Sequence, residues 1–281
     1  MAKCLGIFRE PQNSPNRESD DALILRTVME QLSLLQVDTA LIEAEAADLA
    51  DPSAWDLVVP MCEAYPRLMR LKSYADSGSL MVNPPEAVLS CYRTRMLEAF
   101  AREPKLLSPE TEVRPIAAAG PMDPPAFDAR LGLWIKRGDV HNTCSHDVVY
   151  ARDMAAVETI REDFARREIS FLLLQRHIDG DLIKFYGVGP GQWFTWFYHD
   201  PQSARRLPFE ADHLALQAEL AARCVGLEIF GGDAIVSSEG PLYVIDINSW
   251  PSFARVRAEA SVQIARRLRA RLREAAAGRM P

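Results

Sequence analysis

Apolar positions recur along this chain in two alternating periods. Residues 4–8 read as a short buried strand. From the N-cap signal Ser19-Asp20-Asp21, Leu25, Val28, Leu32 and Leu35 return at helical spacing and define one face. Residues 37–42 and 56–61 are further strand candidates, and residues 80–83 follow an intervening helical stretch. The first 85 residues thus alternate strand and helix, which predicts a small parallel α/β layer.

Pro84-Pro85 breaks the pattern. Beyond it, residues 86–101 read as helix, and residues 104–125 form a proline-rich connection. A second unit then opens with strands at 131–136 and 148–150, a helix over 153–167 and a strongly apolar strand at 171–175. Strands at 182–188 and 193–198 flank Gly189-Pro190-Gly191, a hairpin signal. The run Trp193-Phe194-Thr195-Trp196-Phe197-Tyr198 puts rings on both faces of its strand, so one face belongs to the core and the other is directed at a cleft. A helix over 210–224 leads into a second hairpin that turns at Gly240. From Val256 the spacing of Ile264, Leu268 and Leu272 predicts a terminal helix, its outer face carrying Arg266, Arg267, Arg269 and Arg273 as solvated surface.

Composition narrows the classes. The chain has 281 residues, 48% of them apolar, which is ample for a core of one large or two to three small packed units. Its net charge of −7, with no Lys/Arg block interleaved with aromatics, argues against wholesale nucleic-acid binding. No apolar run approaches a membrane span, and Arg9 interrupts the N-terminus before a segment of signal length develops. Cys4, Cys62, Cys91, Cys144 and Cys224 are scattered and lack the close pairing of a zinc or redox motif. Reduced thiols and a cytoplasmic location are the expectation.

Candidate chemistry concentrates in the second hairpin, Gly231-Gly232-Asp233 followed by Ile245-Asp246-Ile247-Asn248. Residues two apart on a strand share a face, so Asp246 and Asn248 point together while Ile245 and Ile247 face the other way. Asp233, on the partner strand, completes a set of hard oxygen donors that suits magnesium. Alternation fits the solvated face of an antiparallel hairpin equally well.

Three upstream features bear on that choice. Lys136 ends an apolar strand and precedes a polar loop holding Gly138, His141 and His146. An ammonium so placed, with a glycine allowing backbone approach, suits phosphate; a strand-end lysine in solvent is the alternative. Gln175, Arg176, His177 and Ile178 follow the apolar strand as a hinge whose backbone can read a base edge and whose Ile178 can pack on its face. Asp181 and Lys184 lie just beyond. An ordinary turn at Asp179-Gly180 with a solvated Lys184 is the alternative there.

The order of these pieces, from Lys136 through the 175–178 hinge and Lys184 to Asp233 and Asp246-x-Asn248, resembles the ATP-grasp superfamily over essentially the whole chain. The resemblance implies an α/β fold, a Rossmann-like N-terminal layer followed by a two-lobed α+β ATP-grasp core. The divisions it implies are 1–85, 86–178 for the middle lobe and 179–281 for the C-terminal lobe with the metal site. It implies ATP and Mg2+ as cofactors, with Lys136, Gln175, Arg176, His177, Ile178, Asp181 and Lys184 around the nucleotide. Asp233, Asp246 and Asn248 become the metal ligands, and Lys136, Lys184 and Arg255 the groups acting on the reacting centre.

Two branches of the family are in play. Asn83-Pro84-Pro85-Glu86-Ala87-Val88 and Ser108-Pro109-Glu110-Thr111 resemble the glutathione synthetase and ribosomal-protein glutamate ligase branch, which makes amide bonds through an acylphosphate. Arg93-Thr94-Arg95-Met96, Ser145-His146, the 183–189 segment and Val244-to-Pro251 are similar to inositol trisphosphate kinases, which phosphorylate hydroxyls. Asp246 stands where most ligases have Glu, and Arg93 or Arg95 where ligases usually have Lys; both features favour the kinase branch. Pro251-Ser252-Phe253-Ala254-Arg255 in place of a Gly-rich segment, and an acidic N-terminal third, weaken a polyphosphorylated substrate. The carboxylate–amine ligase ranks first, the kinase second, and a nucleotide-binding protein without catalysis third. The implied partner is a small-molecule acceptor, a carboxylate and an amine or else a hydroxyl, contacted by cations drawn from Arg9, Arg255 and Arg257 or by His141 and His146. Neither nucleic acid nor membrane is expected, and a homodimer is allowed for.

Overall fold

The computed structural model describes residues 1–14, 18–117, 120–138 and 144–278. β1 (Lys3–Ile7) lies between β2 (Asp38–Ile42) and β3 (Leu57–Pro60) in a parallel sheet of order β2-β1-β3. α1 (Glu18–Leu34) makes the crossover from β1 to β2 and buries Ile24, Leu25, Val28 and Leu32. It lies so close to β1 that a Cβ on Gly6 would stand 2.7 Å from Met29 Cε. α2 (Tyr65–Asp76) follows β3. The strand expected at 80–83 reduces to a single bridge between Val58 and Met81, because Asn83 turns inward and Pro84-Pro85 redirects the chain.

The helix expected over 86–101 is two helices, α3 (Pro85–Ser90) and α4 (Arg93–Phe100). The break is at Tyr92, whose backbone is extended and whose phenol donates to Glu63 O at 3.0 Å. The proline-rich connection contains β4 (Thr111–Pro115), an edge strand without a hydrophobic alternation to betray it. It joins β5 (Leu133–Arg137), β6 (Val148–Ala151) and β7 (Phe171–Arg176) in an antiparallel sheet of order β4-β7-β5-β6. α5 (Met154–Arg166), capped by Asp153 accepting from Ala156 N, packs Val157 and Phe164 on one face of this sheet. The other face, carrying Trp134 and Lys136, is turned to the next sheet.

That sheet has the order β11-β10-β8-β9, from β8 (Gly180–Val188), β9 (Trp193–Tyr198), β10 (Ile229–Ser237) and β11 (Leu242–Ser249). α6 (Ala211–Val225) covers its outer face with Leu214, Ala218, Ala221, Ala222 and Val225, and ends at Gly226 in the left-handed conformation. Phe194, Trp196 and Tyr198 pack in this layer, while Phe197 faces the cleft. Packing does not follow chain order. Residues of α3 and α4 join the core under α6, and the terminal helix α7 (Arg257–Gly278) returns to pack Ile264, Leu268 and Leu272 against α1. Among the described residues no helix is long and apolar enough to cross a membrane.

Candidate functional site

One row of side chains crosses the inner face of the C-terminal sheet. Phe197 on β9 is paired with Lys184 on β8, Lys184 with Asp233 on β10, and Asp233 with Asp246 on β11. The next row on the same face is Thr195, Tyr186, Gly231 and Asn248. Only glycine fits at 231, where a Cβ would stand 2.7 Å from Pro251 Cγ and 2.8 Å from Tyr186 Cδ1. Lys184 Nζ donates to Asp233 Oδ1 at 2.8 Å, and Asn248 Nδ2 lies 3.4 Å from Asp246 Oδ2. Burial pushes the Asp233 carboxyl above its ordinary range, with Asp246 adding to the rise, while Lys184 opposes it.

Ladder register changes between Asp233 and Ala234, leaving Ile245 as the extra residue of a β-bulge. The alternation read from sequence placed Ile245 with Ile247. In the structure Val244 and Ile247 are the buried pair, and Ile245 is displaced by the bulge. Its carbonyl oxygen accepts from Lys136 Nζ at 3.4 Å, so a side chain of the middle sheet reaches the edge strand of the next. Lys136 is only 7% exposed, and desolvation lowers its pKa to about 8, against the pull of Asp246 and Asp233. Arg93 also depresses it. That arginine is buried at the start of α4, donates to Arg137 O at 2.9 Å, and belongs beside the cleft, whereas Arg95 pairs outward with Glu86.

The hinge adjoins a cavity of about 440 Å3 lined by Arg176, His177, Ile178, Ser237 and Tyr243 among others. Gln175 Nε2 donates to Thr111 Oγ1 at 3.1 Å, and Arg176 pairs with Glu110 and lies over the Tyr243 ring. Trp134 Nε1 donates to His177 Nδ1 at 3.0 Å, and burial lowers the histidine's pKa. Both Trp134 and Tyr243 went unremarked in the sequence, although Trp134 precedes Lys136 by two and therefore shares its face. Asp181 corrects an expectation. It points away from the cleft, buried, and accepts from Arg205 N and Leu207 N at 2.7 Å each, because alternation from Lys184 puts Leu182 on the inner face.

A second cavity, about 320 Å3, is lined by Lys184, Tyr186, Phe197, His199, Asp233, Asn248, Pro251 and Arg255 among others. Arg255 lies over Phe197 at 4.3 Å. The other candidate cations are engaged in structure: Arg257 pairs with Asp20 at 2.6 Å, and Arg9 is surrounded by carboxylates and carbonyls. His146 is exposed in the turn Ser145–Asp147, and His141 lies outside the described residues. Among the described residues no cluster of three or more His, Cys, Asp or Glu is poised to hold a metal by itself. Two carboxylates and an amide, all oxygen donors, are the kind of set that holds a hard cation when phosphate oxygens complete its shell.

No family model matches the chain, and no curated protein matches it in sequence. Solved structures do match in shape. The D-alanine–D-alanine ligase of Bacillus anthracis complexed with ATP is 10% identical, with a TM-score of 0.70 over 99% of this chain and 98% of that one. The D-alanyl-alanine synthetase A of Vibrio cholerae is 11% identical, with a TM-score of 0.71 over 99% of each chain. A RimK domain ATP-grasp protein of Sphaerobacter thermophilus is 16% identical, with a TM-score of 0.68 over 95% of this chain and 98% of that one. The chain shares the fold of these neighbours over nearly its whole length.

Proposed function

We propose that this protein is an ATP- and magnesium-dependent ligase that joins a carboxylate to an amine through an acylphosphate, releasing ADP. The observation that carries the reading is the reach of Lys136 toward the Asp233–Asp246 row: a buried ammonium from one sheet lies 3.4 Å from the Ile245 carbonyl of another, where the charges of Asp246 and Asp233 act on it through space. A cleft of this composition suits a polyphosphate and its metal. The ligase neighbours, one of them complexed with ATP, support the same reading.

Lys136 and Arg93 supply positive charge to the phosphates from the middle sheet, and Lys184 does so from β8. The hinge backbone at 175–178 reads the base, with Ile178 and Tyr243 against the cavity that receives it. Asp233, Asp246 and Asn248 would hold magnesium, which would supply positive charge to offset that of the phosphates. The acceptor occupies the second cavity, where Arg255 offers its guanidinium beside Tyr186 and Phe197. Transfer depends on positioning and charge stabilisation rather than on a covalent protein intermediate. Five free thiols fit a cytoplasmic location.

Phosphorylation of a hydroxyl is the second reading, favoured by the short acid Asp246 and by buried Arg93 at the start of α4. Hydroxylamine separates the two. With ATP, magnesium and a panel of carboxylic acids, a ligase yields a hydroxamate; a phosphorylated product with no hydroxamate identifies the kinase and overturns the ligase.

A further inference from the structure

Arg9 sits at the end of β1 with its side chain 10% exposed, and its guanidinium is fully committed. Nε donates to Met61 O at 3.3 Å and Nη1 to Asp21 Oδ2 at 3.0 Å; Nη2 pairs with Glu63 at 3.2 Å. Nη2 also donates to Ser249 O at 3.1 Å and Trp250 O at 2.8 Å, across 240 residues of sequence. Those two carbonyls immediately follow Asn248. Trp250 is fully buried in a left-handed conformation, φ 45°, and Phe253 repeats that conformation at φ 49°. For aromatic residues this backbone is unfavourable and persists only where surroundings enforce it.

The enforcing contacts come from the N-terminal sheet and the segment after it. Arg9 holds the Trp250 carbonyl, and Val82 O accepts from the Trp250 indole at 3.3 Å. Asn83 donates to Ser249 Oγ and Ile229 O and accepts from Glu228 N and Ile229 N, fastening the adjoining ends of β10 and β11. A planar fork with five donors can grip two successive carbonyls and two carboxylates at once, which an ammonium cannot.

We propose that Arg9 is a positioning residue for the metal-binding end of β11, setting Asn248 against Asp233 and Asp246 from the N-terminal sheet rather than touching the acceptor. The proposal rests on the magnesium assignment above and extends it. Groups that orient a ligand from behind typically govern metal affinity by roughly 10- to 100-fold. The test measures Mn2+ binding, by the paramagnetic signal of the free ion, to protein saturated with adenylyl imidodiphosphate. The variants are Arg9→Met, Arg9→Lys and Asp246→Asn, with metal-free nucleotide affinity and melting temperature recorded alongside.

The expected result is a loss of Mn2+ affinity of about tenfold or more in Arg9→Met, with metal-free nucleotide affinity retained. Arg9→Lys, which keeps the charge between Asp21 and Glu63 but not the fork, shows the same direction and decides the matter if Arg9→Met does not fold. Wild-type Mn2+ affinity in folded Arg9→Lys overturns the proposal. If Asp246→Asn also leaves Mn2+ affinity unchanged, the metal assignment itself fails; if only the Arg9 variants do, positioning alone fails.

Discussion

Asp233 and Asp246 face one another in register across the β10–β11 ladder, two like charges side by side in a cleft, with Lys184 bonded to Asp233 at 2.8 Å. Like charges directly opposite on a ladder are destabilising, and burial already pushes the Asp233 carboxyl upward. Such a pair weakens the free protein and suits a cation that arrives with its own phosphate ligands.

Asp246→Asn therefore separates folding from function. Removing one of the two charges leaves stability unchanged or raises it by up to about 1 kcal/mol, measured by urea unfolding. Magnesium-dependent nucleotide turnover falls by about 100-fold or more, because a metal ligand is worth several kcal/mol in the transition state. Retained turnover removes the metal assignment.

Lys136 gives a pH dependence of known sign. Its pKa in the folded protein, about 8, lies below its ordinary 10.5, so between these values the folded state binds fewer protons than the unfolded one. Stability rises with pH across that window, and the cost of burying the ammonium is present in full below it. Lys136→Met is accordingly more stable than the wild type at pH 7, by about 1–3 kcal/mol, yet binds ATP more weakly. Phosphates favour the charged form, so ATP affinity declines as pH rises through about 8, with proton uptake seen by calorimetry in buffers of different ionisation enthalpy. Lys136→Arg abolishes the uptake.

Asn83→Ala is expected to cost about 3–5 kcal/mol, since it strips partners from Ile229 O, Ser249 Oγ and two backbone N–H groups in a buried position. Chemical denaturation measures this directly, and a loss below about 1 kcal/mol contradicts the role given to that clamp.

Asp181→Ala tests an assignment in the opposite sense. The loop at Arg205 and Leu207 loses its carboxylate anchor, lowering stability by about 1–3 kcal/mol, while ATP affinity is unaffected. A weakened nucleotide affinity with an unchanged melting curve returns Asp181 to the cleft.

Much of this arrangement was legible where a local rule decides it. Alternation put Asp246 and Asn248 on one face, and apolar runs located the strands carrying Lys136 and the hinge; the ladder register adds Lys184 and Asp233 to that face. What sequence could not show were features set by distant partners. The bulge at Ile245 interrupts alternation, β4 hides among prolines, and Tyr92 breaks a helix to reach Glu63 O. Arg9 looked like an acceptor cation because it follows a strand. Its true company, Ser249 and Trp250, is some 240 residues away and nothing local announces it. The register error at Asp181 is of another kind: counting alternation back from Lys184 was enough to exclude it.

The proposed ligase reaction depends on what the cleft transfers and to what. The most direct measurement is a metabolite screen that follows ADP release with ATP and magnesium and determines product mass. A ligase gives a product equal to two acceptors less one water, and that is the predicted result. A single acceptor carrying an added phosphoryl group contradicts it.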